Sequence, residues 1–115
     1  MLLNGAGMAQ TAPAQPPGSK LFAMQCAGCH STVAGETRVG PSLHGIAGRN
    51  AGALADFVYS DTLRARGMGG LAWTAENLDS WLADSSTFVP GSMMNFHLAD
   101  PQKRAAIITY LGELK

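Results

Sequence analysis

Apolar residues recur at three- and four-residue intervals in three stretches of the chain, which predicts three main helices. The first helix is expected to begin near Ser19, a suitable N-cap, and to run to a pair of cysteines. The second follows the N-cap candidate Thr74, and the third follows Asp100 with Pro101 at its first helical position. No useful stretch alternates with a period of two, so the pattern indicates an all-α protein.

The segments between these helices are rich in glycine, which indicates loops. The stretch "SLHGIAGRNAGAL", residues 42–54, is interrupted repeatedly by glycine. A short helix is predicted from about Ser60 to the glycine cluster at residues 67–70. Pro90 and Gly91 cannot continue a helix, so the helix that follows Thr74 ends before them.

The composition is apolar and carries no dominant charge. Hydrophobic residues make up 46% and charged residues 14% of the 115 positions, which is too apolar for a disordered protein. The formal net charge is zero and the pI is about 6.8, so no basic field is available to attract nucleic acid. No apolar run approaches the roughly 18 residues of a membrane-spanning helix.

Residues 1–17 contain no charged side chain and differ in composition from the rest of the chain. Two interpretations remain open: a flexible tail, or the remnant of a signal peptide with Ala9 in "AGMAQ" as the last residue before cleavage. The basic region and the full apolar core of a signal peptide are missing. A signal remnant would place the mature protein outside the cytoplasm. Residues 18–115 are expected to form one domain.

Both cysteines of the chain lie in "MQCAGCHS", residues 24–31, and a histidine follows the second directly. Cys26, Cys29 and His30 form a CxxCH motif, in which each thiol can form a thioether with a haem vinyl group and the histidine can bind the iron. A redox dithiol would favour a βαβ context, which the helical pattern does not provide. A zinc site would need a second ligand pair, and His44 and His97 are isolated in the sequence. The motif therefore predicts one covalently bound haem c.

The haem iron needs a second axial ligand, and the residue types alone leave several candidates. These are Met93, Met94, His97, His44 and Met68. A pair of methionines ordinarily fills core space rather than binding a metal. Composition and spacing do not choose among the five side chains.

The chain resembles the class I c-type cytochromes, in particular the bacterial carriers that are similar to mitochondrial cytochrome c. The resemblance covers approximately residues 18–115 and implies three main helices, with short helices and loops, wrapped around one covalent haem. "PGSMMNF", residues 90–96, resembles the family's PGTKMxF and implies that Met94 is the axial methionine. His30 and Met94 are then the expected iron ligands, and Met93 is the residue before the ligand.

A second motif, "VGPSLHGIAGR" at residues 39–49, resembles the family's GPxLHGxxGR. The resemblance implies that the Pro41 carbonyl accepts the Nδ1 proton of His30 and so fixes the tautomer of the ligand. It implies that His44 is not a ligand. It also implies polar groups at the haem propionates, namely Arg49, Tyr59, Trp73 and Ser92.

The family's first and last helices cross, and the resemblance implies the same crossing in this chain. Phe22 would pack near Ile107 and Tyr110. Gly18 would permit the close approach of the two helices.

Trp81 and Met93 are among the features that depart from the family. Trp81 stands where many relatives have a tyrosine near the axial methionine. Met93 stands where mitochondrial-type carriers have a lysine, and the chain has only three lysines. The surface beside Met93 is therefore expected to be apolar, with contributions from Phe88 or Val89.

An iron with two protein ligands has no vacant position for a substrate, so the expected function is a soluble, monomeric electron carrier rather than an enzyme. The expected partners are membrane or soluble redox proteins, with a donor such as a bc-type complex or a dehydrogenase and an acceptor such as an oxidase or a reaction centre. A bacterial periplasmic location is favoured over the mitochondrial intermembrane space. Two alternatives remain open: a haem module or subunit of a larger dehydrogenase or oxidase, and a haem sensor or peroxidase with a labile Met94.

Overall fold

The computed structural model describes residues 17–115, so the interpretation of the N-terminal tail lies almost entirely outside the described residues. The helices are α1 (Gly18–Gln25), α2 (Asp61–Met68), α3 (Ala75–Ala83), α4 (Ser85–Phe88) and α5 (Pro101–Gly112). Within residues 17–115 the only β pairing is an isolated antiparallel bridge between Asn50 and Ala72. The expectation of an all-α fold is confirmed.

Three helices begin where the sequence predicts, two of them at the predicted N-caps Thr74 and Asp100 and one at the predicted start near Ser60. The side chains of Ser60, Thr74 and Asp100 each accept a hydrogen bond from a backbone N–H in the first turn of α2, α3 and α5. The expected cap at Ser19 is wrong, because α1 begins one residue earlier at Gly18. The Pro17 carbonyl accepts from the N–H groups of Lys20 and Leu21 at 2.9 and 3.0 Å, so the first turn forms without a side-chain cap.

The crossing of α1 and α5 closes the fold, as expected. The rings of Phe22 and Tyr110 meet with their centroids 5.5 Å apart, and Ile107 is fully buried. Gly18 lies against the backbone of Ala106, and a β-carbon at Gly18 would overlap the Ala106 carbonyl. The small residue at this position therefore sets how closely the two helices approach.

The long loop before α2 is joined to the segment before α3 by backbone hydrogen bonds. The Trp73 N–H donates to the Arg49 carbonyl, and the Gly48 N–H donates to the Trp73 carbonyl, both at 2.8 Å. The Ala51 N–H donates to the Leu71 carbonyl at 2.9 Å. These bonds bring Arg49 and Trp73, which are distant in sequence, to the same wall of the interior.

The helix α4 is short, and the sequence pattern does not predict it. It follows α3 directly, and the Asp84 side chain caps it by accepting from the Thr87 N–H at 3.2 Å. The Val89 N–H donates to the Ser85 carbonyl at 2.9 Å and ends the helix. This turn carries the chain from α3 towards residues 89–100, which contain Met94 and are called the Met94 segment below.

Candidate cofactor site

A cavity of about 530 Å³ lies at the centre of the described structure, within the range typical of cofactor sites. All nine residues that the sequence analysis assigned to the site line this cavity. They are Cys26, Cys29, His30, Pro41, Arg49, Tyr59, Trp73, Ser92 and Met94. His44 and His97 are not among the lining residues. The remaining lining is mostly apolar, with contributions from α3 and α5.

The end of α1 positions the two cysteines and the histidine in one turn of chain. The N–H groups of Cys29 and His30 both donate to the Cys26 carbonyl, at 3.0 and 2.9 Å. Cys26 is buried and Cys29 is exposed, and neither forms a disulfide. Burial, assisted by Cys29, raises the pKa of the Cys26 thiol to about 11, so the thiol is protonated at neutral pH. Both thiols are thus available to one group in the cavity.

The His30 imidazole is fixed by the loop that follows it. Its Nδ1 donates to the Pro41 carbonyl at 2.7 Å, which leaves Nε2 as the unprotonated nitrogen that can bind a metal. Burial lowers the pKa of His30, and the hydrogen bond to Pro41 opposes that shift. The net effect is a lowered pKa, which favours the neutral imidazole, the form that binds iron.

The two neighbouring methionines differ in their surroundings. Met94 packs against the hydrophobic core, whereas the Met93 side chain is 61% exposed. The Met94 carbonyl accepts hydrogen bonds from the hydroxyls of Ser85, at 2.6 Å, and Ser92, at 3.2 Å. Both methionines line the cavity. Of the two, Met94 has a hydrogen-bonded carbonyl and a side chain that packs on the core, whereas the Met93 side chain is exposed.

Arg49 and Tyr59 contribute polar groups to the largely apolar wall of the cavity. The Arg49 Nη2 is buried without a hydrogen-bond partner among the described residues, while Nη1 donates to the His44 carbonyl at 3.1 Å. A buried guanidinium nitrogen that lacks an acceptor fits an anionic group such as a haem propionate. The Tyr59 hydroxyl lies on the same cavity and accepts from the Leu54 N–H at 3.2 Å. Burial raises the pKa of Tyr59.

The donor set fits a haem better than a metal ion alone. Residues 17–115 contain no group of three or more His, Cys, Asp or Glu side chains placed to hold a metal ion, so a structural zinc site is not supported there. The residues that line the cavity provide two thiols, one imidazole, two thioethers and one guanidinium nitrogen without a partner among the described residues, on a largely apolar wall. These groups match the vinyl, iron and propionate groups of one haem.

A model of the cytochrome c family matches residues 16–115. The chain belongs to the cytochrome c family. It is similar to cytochrome c2 iso-2 of Magnetospirillum fulvum, with 44% identity over 90 residues that cover 77% of this chain and 91% of the relative. It is similar to cytochrome c of Arabidopsis thaliana, with 37% identity over 98 residues that cover 84% of this chain and 85% of the relative. The structure of cytochrome c2 from Rhodospirillum centenum matches with a TM-score of 0.80 and 31% identity, covering 85% of this chain and 95% of that one.

Membership of the cytochrome c family establishes the cofactor and the general activity. The chain carries one covalently bound haem c, and it is an electron carrier rather than an enzyme, as expected. No helix within residues 17–115 has the length and apolar character needed to cross a membrane.

One expectation about the surface is wrong. Val89 does not contribute to an apolar surface beside Met93, because the chain turns inward after α4 and buries Val89 fully. Phe88 is partly buried and does not line the cavity. The exposed large apolar side chains that line the cavity are Met93 and Val39, which is 76% exposed.

Sequence reasoning left three residues near the cofactor site without a role. Trp81 lines the cavity and packs edge-to-face on Trp73, with ring centroids 5.2 Å apart. Gly40 lies against the His30 ring, and its position directly before Pro41 in the second motif could have indicated this contact. Ser85 contacts the Met94 segment, and no pattern in the sequence distinguishes it from its serine neighbour.

Proposed function

We propose that this chain carries single electrons through a haem attached by thioether bonds to Cys26 and Cys29, with His30 and Met94 as the axial ligands. Residues 18–115 would form the haem domain. The observation that supports this proposal is the convergence of the CxxCH turn and Met94, from distant parts of the chain, on one cavity.

The residues around the cavity favour a stable ligand set. His30 is kept neutral and oriented by Pro41, so its Nε2 can bind iron. The Met94 thioether is a weaker donor than a second imidazole and favours the reduced form. Arg49 would pair with a propionate, assisted by Tyr59 and Trp73, with Ser92 near the same group although its hydroxyl donates to the Met94 carbonyl at 3.2 Å. When bound, the haem supplies the reversible exchange of one electron between Fe(II) and Fe(III).

The packing of Met94 favours a carrier over a sensor or peroxidase. A sensor or peroxidase needs a sixth position that opens readily, whereas the Met94 carbonyl accepts two hydroxyl donors and its side chain packs on the core. A module or subunit of a larger dehydrogenase or oxidase would use the same ligands, and it would differ only in having a fixed partner.

The proposed partners are redox proteins that contact the chain at the cavity mouth, the surface where exposed residues such as Met93 and Val39 line the cavity. A donor such as a bc-type complex or a dehydrogenase and an acceptor such as an oxidase or a reaction centre fit this role. The periplasm is the proposed location, which the bacterial cytochromes c2 among the relatives support. The exposed Met93 and Val39 support an apolar contact surface.

Extraction and spectroscopy test the proposal directly. Acidified acetone should leave the haem on the purified protein, and the oxidised protein should show the sulfur-to-iron absorption band of a His/Met haem. Extraction of the haem with recovery of two free thiols would exclude the thioether attachment. Retained haem without the band would exclude Met94 as the ligand while leaving the attachment intact.

A further inference from the structure

Ser85 is a fully buried polar residue beside the segment that carries Met94. Its hydroxyl donates to the Met94 carbonyl at 2.6 Å and accepts from the Phe96 N–H at 2.9 Å. Its own backbone N–H donates to the Phe96 carbonyl at 3.0 Å. The hydroxyl also lies 3.4 Å from the Phe96 carbonyl, a longer alternative to its bond with Met94. One residue therefore contacts the backbone on both sides of Asn95.

The helix that bears Ser85 is itself held in place. Asp84 caps α4 at the residue before Ser85, and α4 packs on α3. α3 contributes the buried Trp81 and Leu82 to the core. Ser85 thus presents its hydroxyl to the Met94 segment from a well-packed support.

Other anchors hold this segment farther from Met94. The Leu98 N–H donates to the Leu82 carbonyl at 3.0 Å. The Arg104 guanidinium donates to the carbonyls of Leu98 and Ala99, at 2.7 and 3.0 Å, and pairs with Asp79. These contacts secure the end of the segment, whereas Ser85 acts at Met94 itself.

We propose that Ser85 is a positioning residue that keeps the Met94 sulfur on the iron. The inference rests on Met94 being the axial ligand, as proposed above. When the segment moves away from the iron, the Met94 carbonyl and the Phe96 N–H form hydrogen bonds with water in place of those with Ser85. When the segment is in place, the Phe96 N–H depends on the buried Ser85 hydroxyl, and the Met94 carbonyl depends on this hydroxyl together with that of Ser92. The hydroxyl therefore stabilises the attached state relative to the detached state.

The test compares the affinity of the oxidised holoprotein for imidazole, which binds the iron only when Met94 is displaced. Ser85→Ala should raise the population of the detached state and tighten imidazole binding by about 10-fold. It should also weaken the sulfur-to-iron band. Absorbance titration measures both changes in the same sample.

Two control variants separate positioning from general stability. Ser86→Ala makes the same chemical change one residue later, where the exposed hydroxyl bonds only to the Asn95 side chain, and it should keep the wild-type imidazole affinity. Leu21→Ala removes a buried side chain of α1 that does not line the cavity. It should lower global stability and leave imidazole affinity unchanged, because detachment of a loop is a local opening.

A second pair of variants makes the test independent of how well Ser85→Ala folds. Ser85→Thr keeps the hydroxyl and should bind imidazole more weakly than Ser85→Val, which has nearly the same shape as the threonine variant without its hydroxyl. Two comparisons then decide the role of Ser85: Ser85→Ala against the wild type, and Ser85→Thr against Ser85→Val. Equal affinities in both comparisons, in a protein with the sulfur-to-iron band, would overturn the role of Ser85 alone. Absence of the band from the wild-type protein would overturn the ligation by Met94, and this inference with it.

Discussion

Gly40 lies directly against the His30 imidazole, so that a β-carbon at Gly40 would come within 2.8 Å of the ring Nδ1. The same glycine donates its N–H to the Cys29 carbonyl at 2.8 Å, and the next residue, Pro41, accepts from the His30 Nδ1. The φ of Gly40 is outside the left-handed region, so space rather than backbone conformation requires glycine here. Two consecutive residues thus set the position and the tautomer of the proposed ligand.

Gly40→Ala should therefore disturb the His30 side of the site. The added methyl group must displace the ring or the loop, and we expect a loss of about 1–3 kcal/mol in the free energy of unfolding. Denaturant titration of the holoprotein measures this loss. Gly112→Ala is the control, because its β-carbon would meet no atom within 4 Å. Equal stability of the two variants would show that the ring accommodates the methyl group.

The contrast between the two methionines leads to a spectroscopic prediction. Met94→Ala should abolish the sulfur-to-iron band and lower the reduction potential, because the thioether favours the ferrous state. Met93→Ala should leave the band intact, since the Met93 side chain is exposed and its backbone carbonyl is not the one held by the two serines. The opposite result would assign the ligand to Met93. Persistence of the band in both variants would exclude each as the source of the band.

Tyr59 should make the free energy of unfolding depend on pH in the alkaline range. Burial raises its pKa above the ordinary value of 10.0, so the folded state binds the phenol proton more tightly than the unfolded state does. As the pH rises past 10.0, the unfolded state loses the proton first, and the wild type should lose stability relative to Tyr59→Phe. Denaturant titrations of both proteins at about pH 8 to 11, values chosen on either side of the ordinary tyrosine pKa, measure the difference. A difference that stays constant would contradict the raised pKa.

The exposed residues that line the cavity carry no charge, which should make electron exchange weakly dependent on salt. The net charge is zero, and Val39 and Met93 are exposed where they line the cavity. Without a strong field, the rate of electron self-exchange between oxidised and reduced protein should change only a few-fold between low and physiological ionic strength, where steering can change rates by about 10-fold or more. NMR line broadening of mixed samples measures this rate. A steep dependence would reveal a local charged patch that the net charge conceals.

Local chemistry explains what could be predicted from the sequence. The N-caps at Thr74 and Asp100 and the helix start at Ser60 depend on bonds to residues two or three positions away, so the residue types suffice to predict them. The CxxCH turn is equally local, because two thiols and an imidazole are brought together by one turn of backbone. The first helix begins one residue before the predicted position, because the Pro17 carbonyl replaces the expected serine cap.

The tertiary structure decided the features that depend on residues far apart in the chain. The family resemblance implies Met94 rather than Met93, and the tertiary structure adds that Met94 packs on the core whereas Met93 is exposed. Backbone bonds to Trp73 hold Arg49 in the cavity wall, where its Nη2 is buried without a partner among residues 17–115. Ser85 differs from Ser86 only in facing the Met94 segment from a packed helix. Burial and long-range hydrogen bonds create these distinctions, and neither can be read from the order of residue types.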